Sequence, residues 1–574
     1  MKTKQNLVII STLIPAMLFL RISSYEKSLY VGTAILFITL LLFKNEYFTL
    51  NNVSNSNNFS IDLKVQLLLL FVFLLFSQNR FLNIETITWD VSSYLVAANE
   101  IDNGFIPMET QWESKGPLTI YIYYFLSNFV GSNYVLFKLI NDIVLFVSIY
   151  ILLIKLNILD SNKNRHVLVG FFLLSAFSIQ WFVSEFTEFY CLPLIAYANY
   201  LFFKKEKKYD KYIGFCFGLS FLINQGSILF FIPILIRVLI EEKILKDLVD
   251  KTLSFFFGLV LPNLFFIIIY WNKNLLDVYI ANYFHIPIGY TGEKMSSFYE
   301  LRVFLREIYN NNEFLYLGIV LLFSFFIINF LKEKKFTFHE HLNLINLNIL
   351  FSIFYYFIAG HNFYHHLIYF IYFSSFLLIK INQNFQLKLL SLLIILSSFS
   401  VLFNSLPSSY SNLTNLTETY ENYPLKRAAK IVDSYFVSQD YTVLALDFVL
   451  ILHYLDKTNY SYIVHPTNHY QKYITDVLID LDKIEENNIQ NLLNNNPDVI
   501  ICNTMSIDAG GRVMSTDPNT YGNDVKENEI HFCDFSNFSS EYIQIDTESI
   551  RKDTNLNYYY DPYKEMNIFI KKNF

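Results

Sequence analysis

Between Trp89 and Pro117 the chain reads WDVSSYLVAANEIDNGFIPMETQWESKGP, and two of its ionisable side chains suit the two ends of a group transfer. Asp90 follows an apolar run. A carboxylate at the lipid-water boundary can act as general base toward a hydroxyl without the full penalty of burial in hydrocarbon. Asp90 also opens a predicted helix, VSSYLVAANEI, so a helix N-cap is its structural alternative. Lys115 presents a point charge suited to a phosphate, and the Gly116-Pro117 turn behind it would hold it in place. Its alternative is an interfacial lysine contacting ordinary headgroups. Glu113 is either a second acid in the same loop or an ion-pair partner for Lys115.

Three later segments also interrupt apolar sequence with polar side chains. SEFTEFY places Glu185 and Glu188 at the start of a predicted membrane span. An acid between apolar helices is a candidate for binding sugar or positioning a partner, and helix termination in water is the alternative. Asn224-Gln225-Gly226 lies in a hairpin of short apolar helices, where neutral amides such as Gln225 either bind sugar hydroxyls or satisfy the turn's backbone. GHNFYHH carries His361, His365 and His366, the densest histidine cluster of the chain. As metal ligands they need a third or fourth partner supplied by the fold, and the segment lacks the HExxH form. Bonds from these histidines to phosphate or sugar are the preferred reading, with an aromatic-belt role beside it, and no metal is expected.

Such groups must be positioned by membrane helices. With 53% hydrophobic and 16% charged residues, the 574-residue chain is far more apolar than an ordinary soluble protein. The excess lies in long runs approaching the roughly 20 residues that cross a bilayer. About thirteen such runs are expected between residues 7 and 404. The first, after Lys2 and Lys4, is read as a retained helix and not a cleaved signal, because no small-x-small site follows it. The run 117–131 is short and tyrosine-rich and is assigned to the membrane interface, inside a first large outer loop at 82–133. Cations then sort by side. The clusters KKEKKYDK at Lys204 to Lys211 and KEKK at Lys332 to Lys335 fall on the inner face, while SEFTE, NQG and HNFYHH share the opposite face with Asp90. The N-terminus is thereby cytoplasmic and the chain a multi-pass protein of the inner (plasma) membrane. No basic patch suits nucleic acid.

The expected architecture is an all-α polytopic bundle at 1–404 with a small extracytoplasmic α/β domain at 405–574. In that tail LKRAAKIVDSYF reads as an amphipathic helix, TVLALDF, DVIICN and MNIFIKK as strands, and NNIQNLLNNNP as a low-complexity turn region. Cys191 and Cys216 read as buried small hydrophobes, and Cys502 and Cys533 can pair if the tail faces an oxidising space.

The motif order resembles the GT-C class of membrane glycosyltransferases, specifically bacterial relatives of protein O-mannosyltransferases and aminoarabinose transferases. The resemblance rests on Asp90, Tyr94, Ala97, Gly104 and Lys115-Gly116-Pro117-Leu118 in the first outer loop, then SEFTEFYCLPL, NQG and GHNFYHH. It implies a GT-C bundle, a polyprenyl-phosphate sugar as donor and co-substrate, a glycan, lipid or protein acceptor, contact with membrane lipids, and no cofactor. Asp90 would then be the catalytic base, and Lys115, His361, His365 and His366 would contact the donor phosphate. Glu113, Glu185, Glu188 and Gln225 would bind sugar or acceptor. The chain departs from the pattern where Val91 replaces a second acid, Asn224 a lysine, His361 an arginine and His366 a tyrosine. Support for Asp90 is therefore expected from Glu113, Glu185 or Glu188. A transporter or flippase of a lipid-linked glycan is the alternative, ranked lower because the acids sit at span ends and no internal repeat is visible. A membrane scaffold whose outer domain binds a partner is the third reading.

Overall fold

The computed structural model describes residues 68–73, 76, 85, 89–130, 140–148, 151, 163–178, 186–293, 305–306, 308–332, 344–359, 364–380, 384–436, 440–469, 471–503, 540–547, 550 and 566–572. Of the thirteen apolar runs expected between residues 7 and 404, the two at 7–22 and 29–43 lie outside them. Most of the described chain is helical. Helix α1 (Trp89–Asp102) ends at Gly104, whose φ of 85° lets the N–H groups of Gly104 and Phe105 bond back to Ile101 and Glu100. The tyrosine-rich run forms α2 (Pro117–Val130), which packs on α1 through an edge-to-face pair of Tyr94 and Tyr123. Then follow α3 (Lys163–Phe177), α4 (Thr187–Lys204), α5 (Asp210–Ile223) and α6 (Ile232–Glu241). The expected hairpin turn at Asn224 is instead the start of a 3-10 helix, Gln225–Phe231, that runs into α6. Asn224 caps it by accepting the Gly226 N–H at 3.0 Å.

Helix α7 (Leu245–Asn272) has 28 residues, about 42 Å of helix, and Leu389–Pro407 within α11 (Asn384–Thr414) is similarly apolar. Among the described residues these two are long and apolar enough to cross a membrane. Phe257, Leu261, Leu264, Phe265, Ile268 and Trp271 of α7 are exposed, the outward apolar face that lipid would cover. Between α7 and α11 lie α8 (Glu313–Lys332), α9 (Leu344–Ile358), a 3-10 turn at Tyr364–Leu367 and α10 (Ile368–Ser374). The apolar stretch 366–380, counted among the thirteen expected runs, is thus broken into shorter helical pieces.

Helices α5 and α7 cross with their backbones in close contact. A Cβ added at Gly214 would lie 1.9 Å from the Phe255 carbonyl oxygen, one at Gly258 2.0 Å from that of Lys211, and one at Gly218 2.5 Å from that of Leu259. Small residues four apart let the two backbones touch, as in close helix pairs within lipid. This contact matters for function because α5 ends beside the loop that carries Lys115.

The tail forms a four-stranded sheet of order β1-β2-β4-β3, with β1 (Val443–Ala445) parallel to β2 (Val499–Asn503), and β4 (Met566–Lys571) antiparallel to β2 and to β3 (Tyr542–Gln544). The amphipathic helix is α12 (Pro424–Tyr435), burying Leu425, Ala428, Ala429 and Val432. The segment NNIQNLLNNNP corrects the sequence reading, because Asn488–Asn494 is a helix. Ile489, Leu492 and Leu493, at helical spacing among the asparagines, pack against Leu444, Ile500 and Cys502. Cys502 is disulfide-bonded, while Cys533 lies outside the described residues. Cys191 and Cys216 are free and buried, as expected.

The tail and the loop after α1 are joined through backbone. Trp112 forms a parallel bridge with Ile463, its N–H donating to Tyr462 O at 2.6 Å and its carbonyl accepting the Val464 N–H at 3.2 Å. Gln111 exchanges hydrogen bonds with Asn459 at 2.8 and 3.0 Å. A Gly258→Leu substitution is expected to force α5 and α7 apart and destabilise the protein by about 1–3 kcal/mol or more. A lowered thermal midpoint of the detergent-purified chain checks this, and an unchanged midpoint refutes the close crossing.

Candidate active site

Asp90 lies in the first turn of α1, one residue inside the helix, so it is a first-turn acid near the positive helix end and not the N-cap expected from the sequence. It is partly exposed. Its Oδ1 accepts the Tyr94 hydroxyl at 3.2 Å and stands 3.8 Å from His465 Nε2. His465 comes from the tail, and sequence reasoning missed it. Its Nδ1 lies 3.3 Å from the Thr467 N–H and 3.0 Å from the Thr467 hydroxyl. Accepting there leaves the proton on Nε2, toward Asp90. Burial holds the His465 pKa below its ordinary value, and the nearby Asp90 opposes this. Beside it the Trp89 indole donates to Asp447 Oδ1 at 2.8 Å, and Asn503 donates to Asp447 Oδ2 at 2.9 Å. The tail therefore grips the start of α1 through one carboxylate. Its only sequence signal was the clustering of His465 and His469 in an otherwise histidine-poor tail.

Glu100, at the end of α1, shapes the loop that follows. Its carboxylate accepts the N–H groups of Met108, Thr110 and Gln111 at 2.9 to 3.0 Å and the Thr110 hydroxyl at 3.0 Å. Met108 is a non-glycine residue at φ 70°, a conformation that such a clamp must hold. Burial pushes the Glu100 pKa up to about 7, while these hydrogen bonds pull it down.

Further along, Glu113 is buried, with Oε1 accepting from Ser114 N at 2.7 Å and Ser114 Oγ at 2.9 Å. Its Oε2 is buried without a hydrogen-bond partner. Burial, and then the charge of Asp90, pushes its pKa up to about 7. It does not form a salt bridge with Lys115. Lys115 is half-buried and makes no ion pair among the described residues. Its backbone is fixed from both sides: Asn282 donates to Lys115 O at 3.1 Å, and Gln225 donates to Ser114 O at 3.2 Å. A Cβ at Gly116 would lie 2.0 Å from Leu222 O, so only glycine lets the loop seat against the end of α5. Gln225 thus spends its amide donors on the Lys115 loop and on Asn282 O at 3.4 Å.

Glu188 lies buried in the first turn of α4. Asn224 Nδ2 and the Tyr355 hydroxyl donate to its Oε1 at 3.0 and 3.2 Å, and the Thr187 hydroxyl to its Oε2 at 3.2 Å. His365 and His366, on the 3-10 turn, converge on the same carboxylate. Glu185 and His361 lie outside the described residues. Electrostatic interactions join these groups into one site: Lys115 acts on Glu188, His365 and His465, and Asp90 acts on Glu113, His365 and His465. At the far end of α4, about 24 Å away by helix rise, Lys204 begins the cation-rich segment through Lys211.

No protein-family model and no curated protein matches the sequence. Among solved structures, the chain is similar to ArnT from Cupriavidus metallidurans bound to undecaprenyl phosphate, with a TM-score of 0.51, 9% identity, and coverage of 77% of this chain and 92% of that one. The chain has a GT-C-like fold. Two further structures resemble this GT-C-like chain less closely. Apo ArnT gives a TM-score of 0.43 at 10% identity, covering 76% of this chain and 92% of that one. An Archaeoglobus fulgidus oligosaccharyltransferase tethered with an acceptor peptide gives 0.41 at 12%, covering 77% and 69%. The GT-C-like, mostly helical fold expected from the motif order is borne out; of the thirteen expected spans, two among the described residues are long and apolar enough to cross a membrane.

Glu113 carries a pH signature. Its folded pKa of about 7 lies above the unfolded value of about 4.3, so its contribution to stability is complete below about pH 4 and is lost as pH rises through about 7. Glu113→Gln, which keeps the uncharged form, is expected to melt near wild type at about pH 4 and above it at about pH 8. Melting curves that stay parallel across that range would refute the buried, proton-retaining state.

Proposed function

We propose that this chain is an integral-membrane glycosyltransferase that moves a sugar from a polyprenyl phosphate to a glycan, lipid or protein acceptor at the outer membrane face. The observation that carries the reading is that Asp90, Lys115 and Glu188, from separate segments, all lie within electrostatic range of His365 in a GT-C-like fold. The ArnT structure of similar fold was solved with undecaprenyl phosphate. In the proposed step the acceptor oxygen attacks the anomeric carbon and gives its proton to Asp90. The bond from that carbon to the donor phosphate breaks, and its electron pair leaves with the polyprenyl phosphate. Lys115, with His365, His366 and His361, receives the growing phosphate charge. Glu113, Glu185 and Glu188 hold sugar or acceptor, and Gln225 acts by holding the Lys115 loop. His465 steadies Asp90 where Val91 leaves no second acid.

The membrane region would comprise 1–404, with about thirteen spans, and the tail 405–574 would stand outside with the active site. The N-terminus would be cytoplasmic. The placement of the cation-rich segment at the opposite end of α4 from Glu188 supports this sidedness.

Asp90→Asn is expected to lower transfer by about 10²-fold or more without changing the amount of protein in the membrane. His465→Ala should lower it less, and Lys115→Ala, which removes a contact that strengthens as the phosphate charge grows, should lower kcat as well as kcat/KM for the donor. Mass spectrometry of glycans and lipid-linked sugars, with and without each variant, reads the result. Retained transfer by Asp90→Asn would sink its role as base, and an accumulated intact lipid-linked glycan would point to transport instead.

A further inference from the structure

The histidine pair needs a third ligand before it can hold a metal, and the fold brings one from about 180 residues away. One ligand atom each of Glu188, His365 and His366 lies within 4.8 Å of the others. All three are buried, with relative exposures of 1%, 8% and 4%. A carboxylate with two imidazoles is a ligand set that zinc and neighbouring transition metals accept, leaving a further position for water or substrate. We propose that Glu188, His365 and His366 bind one divalent transition-metal ion, with zinc as its type.

The surroundings of the three side chains support this assignment. Asn224, Tyr355 and Thr187 donate to the Glu188 oxygens at 3.0 to 3.2 Å, the outer hydrogen bonds that orient a metal-binding carboxylate. Oε1 accepts two of these bonds and Oε2 one, so Oε2 retains a lone pair for a cation. The His365 ring is stacked on Phe186, with centroids 4.2 Å apart and an interplanar angle of 12°. The His366 ring meets Tyr355 edge-on at 5.7 Å and 83°. Both imidazoles are therefore held by packing before any ion arrives. A dication would compensate the Glu188 charge, which is otherwise far from water. Two nitrogen ligands out of three disfavour magnesium and calcium, which prefer oxygen. Because Lys115 acts electrostatically on Glu188 and His365, the ion and the lysine would share the donor phosphate, with His365 and His366 acting on it through the ion and Glu188 holding the ion in place of sugar or acceptor; that role rests on the proposed transfer reaction, whereas binding does not.

The test uses the full chain, purified in detergent and stripped with a chelator. It is titrated separately with Zn2+ and Mg2+, and retained metal is counted by mass spectrometry after desalting. About one equivalent of Zn2+ and no Mg2+ is expected, falling about tenfold or more in Glu188→Gln and in His366→Ala. Co2+ loaded into the wild-type chain should give a visible d–d spectrum, a coordination signature that does not depend on any variant folding. A wild-type chain that retains no Zn2+ and gives no Co2+ spectrum overturns the site, as does retention unchanged in both variants. Retention without transfer would uphold the metal site and overturn the transfer reading. Transfer by stripped protein that retains no metal would uphold the reaction and overturn the site.

Discussion

The Glu100 carboxylate accepts three backbone N–H groups and a hydroxyl from the turn at Met108 to Gln111, and the placement of every later group in the loop after α1 depends on that clamp. A buried carboxylate is expensive to desolvate, and donors aimed at both its oxygens offset the penalty. The clamp fixes Met108 in a left-handed conformation and delivers Gln111 and Trp112 to the edge of the tail. From there the chain has only a few residues before Gly116 seats against the end of α5. Glu113 and Lys115 sit between two anchored points, which confines them without any salt bridge between the two.

Charge at the site is sparse and mostly indirect. Among the described residues Lys115 stands without an ion pair, Glu113 has its pKa pushed up to about 7, and the neutral Asn224 occupies a position where the motif pattern has a lysine. Asn224 shows how this works. It donates to Glu188 and caps the 3-10 helix with its oxygen, so one side chain fixes both a carboxylate and a helix start. Gln225 does the same for the loop. Low charge density suits a site at the lipid boundary, where each unpaired ion carries a large solvation penalty.

The tail takes part in the site as well as covering the loop. His465 faces Asp90, while Asp447 holds the Trp89 indole at the residue just before it. Strand pairing between Trp112 and Ile463 makes the tail and the loop a shared structure at that point. A change in the tail that moved His465 would therefore be felt at Asp90 before it was felt in the helices.

The sequence by itself determined the mostly helical character of the chain, three of the four strands of the tail and the order of the polar segments, and it singled out Asp90, Lys115 and Glu188 as candidates. Those follow from local periodicity and composition, because a run of apolar residues or an alternating strand carries its pattern within a few neighbours. It misread Asn488–Asn494, where asparagines masked the helical spacing of Ile489, Leu492 and Leu493, and it placed the support for Asp90 among acids. Only the tertiary structure decided that Asp90 meets His465, that Gln225 and Asn282 hold the Lys115 loop, and that Glu188 joins His365 and His366. Each of those meetings spans roughly 110 to 375 residues of chain, a separation at which no local periodicity survives and only packing sets the distance.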